Sequence, residues 1–108
     1  MTMAFEAKLD VEDGVATVQM SGELDSRSAP RLHELIMDAV ARRVRRMVLL
    51  VGELTYLSSA GLRCLVFAHQ KLERGADIVL VGTQPEVAET IRLTGFDRAI
   101  LMQETTEP

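Results

Sequence analysis

The run Met47–Val51 constrains the fold of this chain most, because all of its side chains are apolar. A run of this length is typical of a strand that is buried on both faces. Strands of this kind occur in parallel sheets, where helices cover the faces. Ile78–Val81 is a second run of the same type. The sequence therefore indicates an α/β fold built around a parallel sheet.

The N-terminal part of the chain follows a different pattern. Between residues 5 and 11, apolar residues alternate with charged ones, and this period of two predicts a strand with one face in solvent. Asp13-Gly14 follows, a pair that is typical of a two-residue hairpin turn. Val15–Met20 then predicts a second strand, which we expect to lie antiparallel to the first.

Three segments have apolar residues at the spacing of a helix with one buried face. A polar break over residues 21–26 precedes the first helix, and Ser26 or Ser28 is positioned to cap it. The second helix follows the first apolar run. It is expected to extend to about Arg74, because Gly75 suits the position just beyond a helix end.

The third helix follows Thr83-Gln84-Pro85-Glu86, which matches a capping box of Thr with Glu three residues later, and Gly95 marks its end. Residues 99–102 predict a short final strand, and the polar tail Gln103–Pro108 is expected to be frayed. Strands that alternate with helices pair in parallel through right-handed crossovers. We therefore predict one α/β domain over residues 1–108. Its mixed sheet has four to five strands, with an antiparallel N-terminal hairpin, parallel crossovers and helices packed mainly on one face.

The composition disfavours several classes of protein. A chain of 108 residues fits one domain, and Cys64 stands alone, so an internal disulfide is excluded. No apolar run approaches the roughly 20 residues that span a bilayer, and the N-terminus does not resemble a secretory signal. The net charge of −4 disfavours nucleic acid as the main partner. We expect a cytoplasmic protein with neither a membrane nor a nucleic acid as partner.

The one basic cluster consists of arginines at positions 42, 43, 45 and 46. It falls at the predicted end of the first helix, where cations interact favourably with the helix dipole. No aromatic residues are interleaved with these arginines, as a nucleic-acid surface would favour. We interpret the cluster as a solvated helix end.

Two adjacent hydroxyl groups, those of Ser58 and Ser59, lie where the second helix is predicted to begin. A serine at this position accepts a hydrogen bond from a backbone N–H group that has no partner within the helix. The same position carries a partial positive charge that favours an anion such as a phosphate. The pair therefore predicts a helix cap, a site for a phosphate, or both.

Catalytic and metal-binding patterns are incomplete. A nucleophile elbow needs glycine two residues before and after the serine, but Ser59 has Leu57 before it and Gly61 after it. The chain also lacks the glycines and lysine of a phosphate-binding loop around Val51-Gly52-Glu53. A small hydrolase that uses Ser59 remains open as an alternative, as does a module that binds a small ligand.

Such a hydrolase would need His33 or His69, the only two histidines, within hydrogen-bond reach of the serine. Together with Cys64 they are too sparse for a structural zinc site. We expect His69 to be a packed histidine on the helical stripe and Cys64 to be a small buried residue. No metal and no cofactor are expected.

Two longer segments form a pattern. Ser21-Gly22-Glu23-Leu24-Asp25 contains Gly-x-Leu-Asp, and Leu54-Thr55-Tyr56-Leu57-Ser58-Ser59-Ala60-Gly61-Leu62 places two serines before Ala-Gly-Leu. The chain resembles the STAS family here, which includes the anti-sigma factor antagonists and a domain of sulphate transporters. Thr94-Gly95-Phe96 is similar to a late turn of that family. The resemblance covers essentially the whole chain and fits the single-domain antagonists in length.

The resemblance implies a partner switch rather than an enzyme. Family antagonists are phosphorylated on the serine aligned with Ser59 by an anti-sigma factor serine kinase. In the unphosphorylated state they bind that kinase and release its other client, usually a sigma factor. A metal-dependent serine phosphatase removes the phosphate. The family's Asp before the acceptor is Ser58 here, so Ser58 remains an alternative acceptor.

The resemblance also implies which residues contact a partner. Asp25 aligns with an acidic residue beside the phosphoserine helix, and Ser58 and Ser59 lie at its start. Leu62 and Arg63 are the next candidates, although Leu62 also suits the core and Arg63 also suits solvent or an acidic neighbour. We expect a monomer or a weak homodimer. The alternative function is a STAS scaffold that docks another signalling enzyme without being phosphorylated.

Overall fold

The computed structural model describes residues 4–104. Within that range the strands and helices follow the predicted order, and a short 3-10 helix, Phe96–Arg98, precedes the last strand. The elements are β1 Glu6–Glu12, β2 Val15–Leu24, α1 Ala29–Ala41, β3 Arg46–Leu57, α2 Ser59–Lys71, β4 Asp77–Val81, α3 Pro85–Thr94 and β5 Leu101–Gln103.

The five strands form one sheet in the order β1-β2-β3-β4-β5. The β1–β2 pair is antiparallel and every other pair is parallel, so the predicted mixed sheet is confirmed. From β2 onward each crossover moves one strand in the same direction. Because such crossovers are right-handed, the three helices lie on one face of the sheet.

The hairpin between β1 and β2 turns at the predicted pair. Asp13 has φ of 52° and Gly14 has φ of 79°. Two consecutive positive φ angles are the signature of the type I′ turn, whose twist matches that of the flanking strands. This turn fixes the register in which Val11 pairs with Ala16.

The core lies between the sheet and the helices. Alternate residues of the central strands point to the helical face, and the helices contribute the apolar stripes that the sequence predicts. The following core residues are at most 2% exposed: Ala16, Val18, Met20, Leu32, Ile36, Ala39, Met47, Leu49, Val51, Leu65, Ala68 and Ile91.

The two central strands are longer than the sequence analysis predicted. β2 continues through the expected polar break to Leu24, and β3 continues past Val51 to Leu57. The β2–β3 ladder shifts register between Gln19 and Ser21 and again after Gly22, whose φ of 87° suits glycine. Backbone pairing continues on both sides of these shifts, so polar residues such as Ser21 and Glu23 are part of the ladder.

The second helix is shorter than predicted, because it ends at Lys71 rather than near Arg74. Leu72 takes an extended conformation and its side chain is buried in the core at 9% exposure. The N–H of Leu72 still donates to the carbonyl oxygen of Ala68 at 2.9 Å, so the chain leaves the helical path at Leu72 itself. Gly75, with φ of 89°, serves the following turn instead of the helix end.

The third helix does not use the predicted capping box. Gln84, not Thr83, precedes its first residue, and no side chain caps it. The Gln84 side chain instead donates to the carbonyl oxygen of Gly52 at 2.9 Å. The predicted end at Gly95 is confirmed by its left-handed conformation, with φ of 80°.

The C-terminal tail begins later than predicted. Gln103 is the last residue of β5, and its carbonyl oxygen accepts from the N–H of Gly82 at 2.9 Å. The predicted fraying of residues 105–108 lies outside the described residues.

Each arginine of the basic cluster is exposed and has a partner, but the cluster runs from the C-cap of α1 at Arg42 to the first residue of β3 at Arg46 rather than forming the last turn of the helix. Three pair with carboxylates and the fourth donates to a backbone carbonyl group: Arg42 with Asp38 at 3.1 Å, Arg43 with Glu73 at 3.7 Å, Arg46 with Asp77 at 2.8 Å, and Arg45 to Asp13 at 3.0 Å.

Gly61 allows α2 to lie close to the ends of β2 and β3. A Cβ atom at this position would lie 2.6 Å from Cγ of Leu24 and 2.9 Å from Cδ1 of Leu57. Contacting carbon atoms prefer about 3.5–4.0 Å. Leu24 and Leu57 pair at the last step of the β2–β3 ladder. The absence of a side chain at Gly61 therefore sets the position of the helix start, including Ser58 and Ser59.

We predict that Gly61→Ala lowers the free energy of unfolding by about 1–3 kcal/mol, the usual cost of overpacking, although alanine is the better helix former. Gly52→Ala is the matched control, because its Cβ would meet nothing nearer than the Gly82 carbonyl oxygen at 3.9 Å. The control should stay within about 0.5 kcal/mol of the parent. Urea denaturation measures both, and equal losses would contradict the packing argument.

Candidate functional site

The segments singled out in the sequence meet where β2 and β3 end. The backbone N–H of Ser58 donates to the carbonyl oxygen of Leu24 at 2.9 Å. The Thr55 hydroxyl donates to the carbonyl oxygen of Gly22 at 3.2 Å. The start of α2 is thereby fixed beside the turn that begins at Asp25. The carboxyl ends of neighbouring parallel strands are a frequent place for binding sites in α/β folds.

Ser58 and Ser59 have different roles in the helix. Ser58 precedes α2 with extended φ and ψ of −83° and 171°, and its hydroxyl oxygen accepts from the N–H of Gly61 at 3.2 Å. Ser59 is the first residue of α2 and is exposed, and its hydroxyl makes no hydrogen bond to residues 4–104. Capping therefore falls to Ser58, while the Ser59 hydroxyl is accessible.

Asp25 organises the turn between β2 and α1. Its Oδ1 atom accepts from the N–H groups of Arg27 at 3.0 Å and Ser28 at 3.1 Å, and from the Ser28 hydroxyl at 3.1 Å. The Ser28 hydroxyl oxygen in turn accepts from the N–H of Asp25 at 2.8 Å. Ser28 occupies the position before α1 but forms no side-chain cap, because its hydroxyl group bonds back into this turn. The expectation that Ser26 or Ser28 caps α1 is therefore wrong.

These hydrogen bonds lower the pKa of the Asp25 carboxyl. The N–H of Ser28 makes the largest contribution and the hydroxyl of Ser28 follows it, because both stabilise the ionised form. Asp25 is therefore negatively charged at neutral pH. The start of α2 has a fixed anion in the adjacent turn.

Leu62 and Arg63, the next two candidates for a partner contact, differ in their exposure to solvent. Leu62 is 9% exposed and belongs to the hydrophobic core, and the edge that remains exposed lines an open groove on this side of α2. Arg63 is exposed, and no carboxylate of residues 4–104 forms an ion pair with it. The burial of Leu62 agrees with the core interpretation and Arg63 is solvated, but a contact of either residue with a partner stays a prediction.

The late turn packs beside α2. The Thr94 hydroxyl donates to the carbonyl oxygen of Ile91 at 2.7 Å and its oxygen accepts from the N–H of Phe96 at 3.3 Å. Phe96, together with Val66 and His69 of α2, lines a shallow open groove. The Thr-Gly-Phe pattern in the sequence predicts the turn but not the groove, because the pattern does not indicate which helix the turn contacts.

A second feature that the sequence analysis missed is Tyr56. It pairs with Glu23 in the β2–β3 ladder and is 51% exposed. An exposed aromatic ring next to the start of α2 is the kind of residue that protein interfaces favour. Its position within the segment that resembles the STAS motif is the sequence feature that could have indicated a contact residue.

The histidines do not support a hydrolase that uses Ser59. His33 stacks on Phe67 with ring centroids 4.6 Å apart, and His69 meets Phe96 at 6.1 Å. At about 1.5 Å per residue, Phe67 lies about 12 Å along α2 from Ser59 and His69 about 15 Å. Neither imidazole is within reach of the Ser59 hydroxyl, so this catalytic pair is not formed.

His69 is exposed, so the expectation of a packed histidine on the apolar stripe is wrong. The buried line on this side of α2 runs through Leu65, Ala68 and Leu72. His69 lies beside these buried residues, and its ring is edge-on to the ring of Phe96.

Cys64 is buried as predicted, with its Sγ atom 3.5 Å from the carbonyl oxygen of Ala29. Burial raises the pKa of the Cys64 thiol, which keeps it protonated and weakly reactive. Within residues 4–104, no three His, Cys, Asp or Glu side chains form a group that could hold a metal ion. In the same range, every helix is too short or too polar to cross a bilayer.

The two serines give a matched test of the site geometry. We predict that Ser58→Ala lowers the free energy of unfolding by about 1 kcal/mol, the usual cost of losing such a cap. Ser59→Ala should change it by less than about 0.5 kcal/mol, because no hydrogen bond is lost. Thermal and urea denaturation measure both, and a larger loss for Ser59→Ala would contradict the assignment of the cap.

The depressed pKa of Asp25 predicts a pH-dependent contribution to stability. The group stabilises the fold above its unfolded pKa of about 3.9, and this contribution is lost as the pH falls through the lower folded value. We expect the stability difference between the parent and Asp25→Asn to be full at neutral pH and to shrink below about pH 4.

Asp10→Asn is the control for this measurement, because Asp10 is exposed on β1 and its carboxylate accepts no hydrogen bond from a described residue. Urea denaturation at several pH values provides the data. A difference for Asp25→Asn that persists undiminished into strong acid would contradict the role of the charge.

Comparison with known proteins shows which family the chain belongs to. The family model described as the STAS domain matches residues 6–107. The chain is 33% identical over 89 residues to the provisionally named anti-sigma factor antagonist BtrV of Bordetella bronchiseptica, covering 82% of this chain and 77% of the relative. It is 27% identical over 93 residues to the anti-sigma-F factor antagonist RsfB of Mycobacterium tuberculosis, covering 86% and 76%.

Among solved structures, the crystal structure of an anti-sigma factor antagonist from Mycobacterium paratuberculosis superposes with a TM-score of 0.86 at 29% identity. The match covers 95% of this chain and 88% of that one. Sequence and fold therefore lead to the same conclusion, and this chain belongs to the STAS domain family.

Proposed function

We propose that this protein is an anti-sigma factor antagonist that acts as a phosphorylation-controlled partner switch. Unphosphorylated, it binds an anti-sigma factor serine kinase; phosphorylation of Ser59 by that kinase weakens the complex, and a metal-dependent serine phosphatase resets the switch. The observation that carries the proposal is the exposed hydroxyl of Ser59 at the start of α2, which makes no hydrogen bond to residues 4–104. The names of the relatives BtrV and RsfB support the general role.

The geometry favours Ser59 over Ser58 as the acceptor. A kinase must reach the hydroxyl and place it in line with the γ-phosphate of ATP. Ser58 is half-buried and its oxygen accepts from Gly61, so its modification would cost the cap of α2. Ser59 is exposed and would lose no hydrogen bond to a described residue.

Electrostatics can supply the switch without refolding. A phosphoserine adds about −1.5 to −2 charges at pH 7 and gains only about 0.3–1 kcal/mol from the helix dipole. At an interface, a like charge about 4 Å away costs roughly 4 kcal/mol at an effective dielectric near 20. Near-complete switching of a two-state equilibrium needs about 5.5 kcal/mol, which repulsion and desolvation of the phosphate together can reach.

The surroundings of Ser59 supply a contact surface. Asp25 gives a fixed negative charge, Arg63 an exposed positive one, and Tyr56 an exposed aromatic ring. Opposite charges on one small surface favour a complementary partner in a single orientation. We place this exchange in the cytoplasm, where ATP and a kinase are available.

Mass spectrometry tests the modification. We expect incubation with a purified candidate anti-sigma kinase and ATP to add one phosphate to Ser59. Ser58→Ala should still be phosphorylated, whereas Ser59→Ala should not. A phosphate found on Ser58 would contradict the choice of acceptor, and an unmodified protein with every candidate kinase would favour the scaffold that docks without phosphorylation.

Calorimetry with the same kinase tests the switch. We expect Ser59→Ala to bind as tightly as the parent and to stay bound in the presence of ATP. Ser59→Asp should bind at least about tenfold more weakly, because even one-third of the repulsion at 4 Å corresponds to a factor of ten. If both variants bound like the parent, Ser59 would not be the switch.

A further inference from the structure

We propose that Arg63 is the intramolecular counter-ion of a phosphate on Ser59, which it holds against the surface of α2. This inference rests on the proposed phosphorylation of Ser59 for its biological setting. The pairing itself depends only on the geometry and charge of the helix. Arg63 is thus a positioning residue that determines where the phosphate lies.

The spacing places both side chains on the same helical surface. Ser59 and Arg63 lie four residues apart in α2, which separates them by about 6 Å along the axis and brings their Cβ atoms to about 5–6 Å. Side chains on a helix lean towards its N-terminus, so Arg63 leans back towards Ser59. An acidic group that precedes a basic one at this spacing is the more favourable order.

The charges around α2 leave Arg63 available. The ion pairs of the described residues already involve other arginines, namely Arg31, Arg42, Arg43 and Arg46. Arg63 is exposed and forms no ion pair with a carboxylate of residues 4–104. The first turn of α2 contains no acidic residue. A phosphate on Ser59 would therefore meet an unoccupied guanidinium group on its own helix.

The neighbouring serine lacks this arrangement. Four residues after Ser58 stands Leu62, whose side chain is 9% exposed and packs in the core. A phosphate on Ser58 would displace the cap and would have no cation at the matching position of the helix. The counter-ion thus distinguishes two adjacent hydroxyl groups.

The pairing has a consequence for the modified protein. A guanidinium group binds phosphate oxygens through two parallel hydrogen bonds. It favours the doubly charged phosphate, and so lowers the second pKa of the phosphoserine. Engagement by the phosphate also removes Arg63 from the surface that an acidic partner could contact.

The test uses the full chain with phosphoserine incorporated at position 59 during synthesis, so that no kinase is needed. The second pKa of the phosphate is measured by 31P NMR as a function of pH. We expect Arg63→Gln to raise that pKa by about 0.3 pH unit, the size of one such helical pair. Arg63→Lys should keep part of the effect, since it retains the charge but not the paired donors.

Arg74→Gln is the matched control. It removes the same charge from an exposed arginine beyond the far end of α2, so it reports the effect of net charge alone and should leave the pKa nearly unchanged. Equal shifts for Arg63→Gln and Arg74→Gln, or no shift for Arg63→Gln, would overturn the pairing. Because the phosphate is installed without a kinase, this result is independent of whether Ser59 is the natural acceptor.

Discussion

The pairing of β2 with β3 is the constraint on which the functional end of this protein depends. These two strands run in parallel to the same final step, Leu24 beside Leu57, and the backbone bond from Ser58 to Leu24 extends the ladder into the start of α2. Gly61 then lets the helix lie directly on these two leucines. The accessible serine and the acidic turn are brought together by backbone pairing and close packing rather than by any contact between their side chains.

The adjacent serines differ in a way that fits the proposed switch. A hydroxyl oxygen that caps a helix is engaged by a backbone N–H and is held in place, whereas a phosphate acceptor must be accessible. Ser58 caps α2, which leaves the Ser59 hydroxyl available as the proposed acceptor. The family pattern that the sequence resembles has Asp in place of Ser58, and aspartate is also a good residue for this capping position. Serine at this position thus keeps the cap while removing one negative charge beside Ser59.

Much of the fold follows from local sequence, and the departures have physical causes. The buried strands, the Asp13-Gly14 turn and the stop at Gly95 each depend on neighbouring residues, so the pattern predicts them. The ends of β2 and β3, the shortened α2 and the unused Thr83 box depend on long-range partners. Ser21, for example, stays in a strand because β3 pairs beside it, and Gln84 bonds to Gly52 of β3 instead of capping α3. At the site, the sequence alone left open which serine caps the helix and whether Leu62 faces a partner.

A rigid platform suits an electrostatic switch better than a fold that rearranges. The residues beneath the start of α2 are among the most buried of the described chain, with Leu24 at 0% and Leu54 at 2% exposure. In the proposed switch, a phosphate on Ser59 would change the charge of this surface by nearly two units, but its interaction with the helix dipole would be worth only about 0.3–1 kcal/mol. The larger effect would act on a bound partner, because the repulsion between like charges grows as the partner excludes water from the interface. In the proposed switch, the close-packed core beneath the exposed hydroxyl would therefore direct the effect of phosphorylation to partner binding.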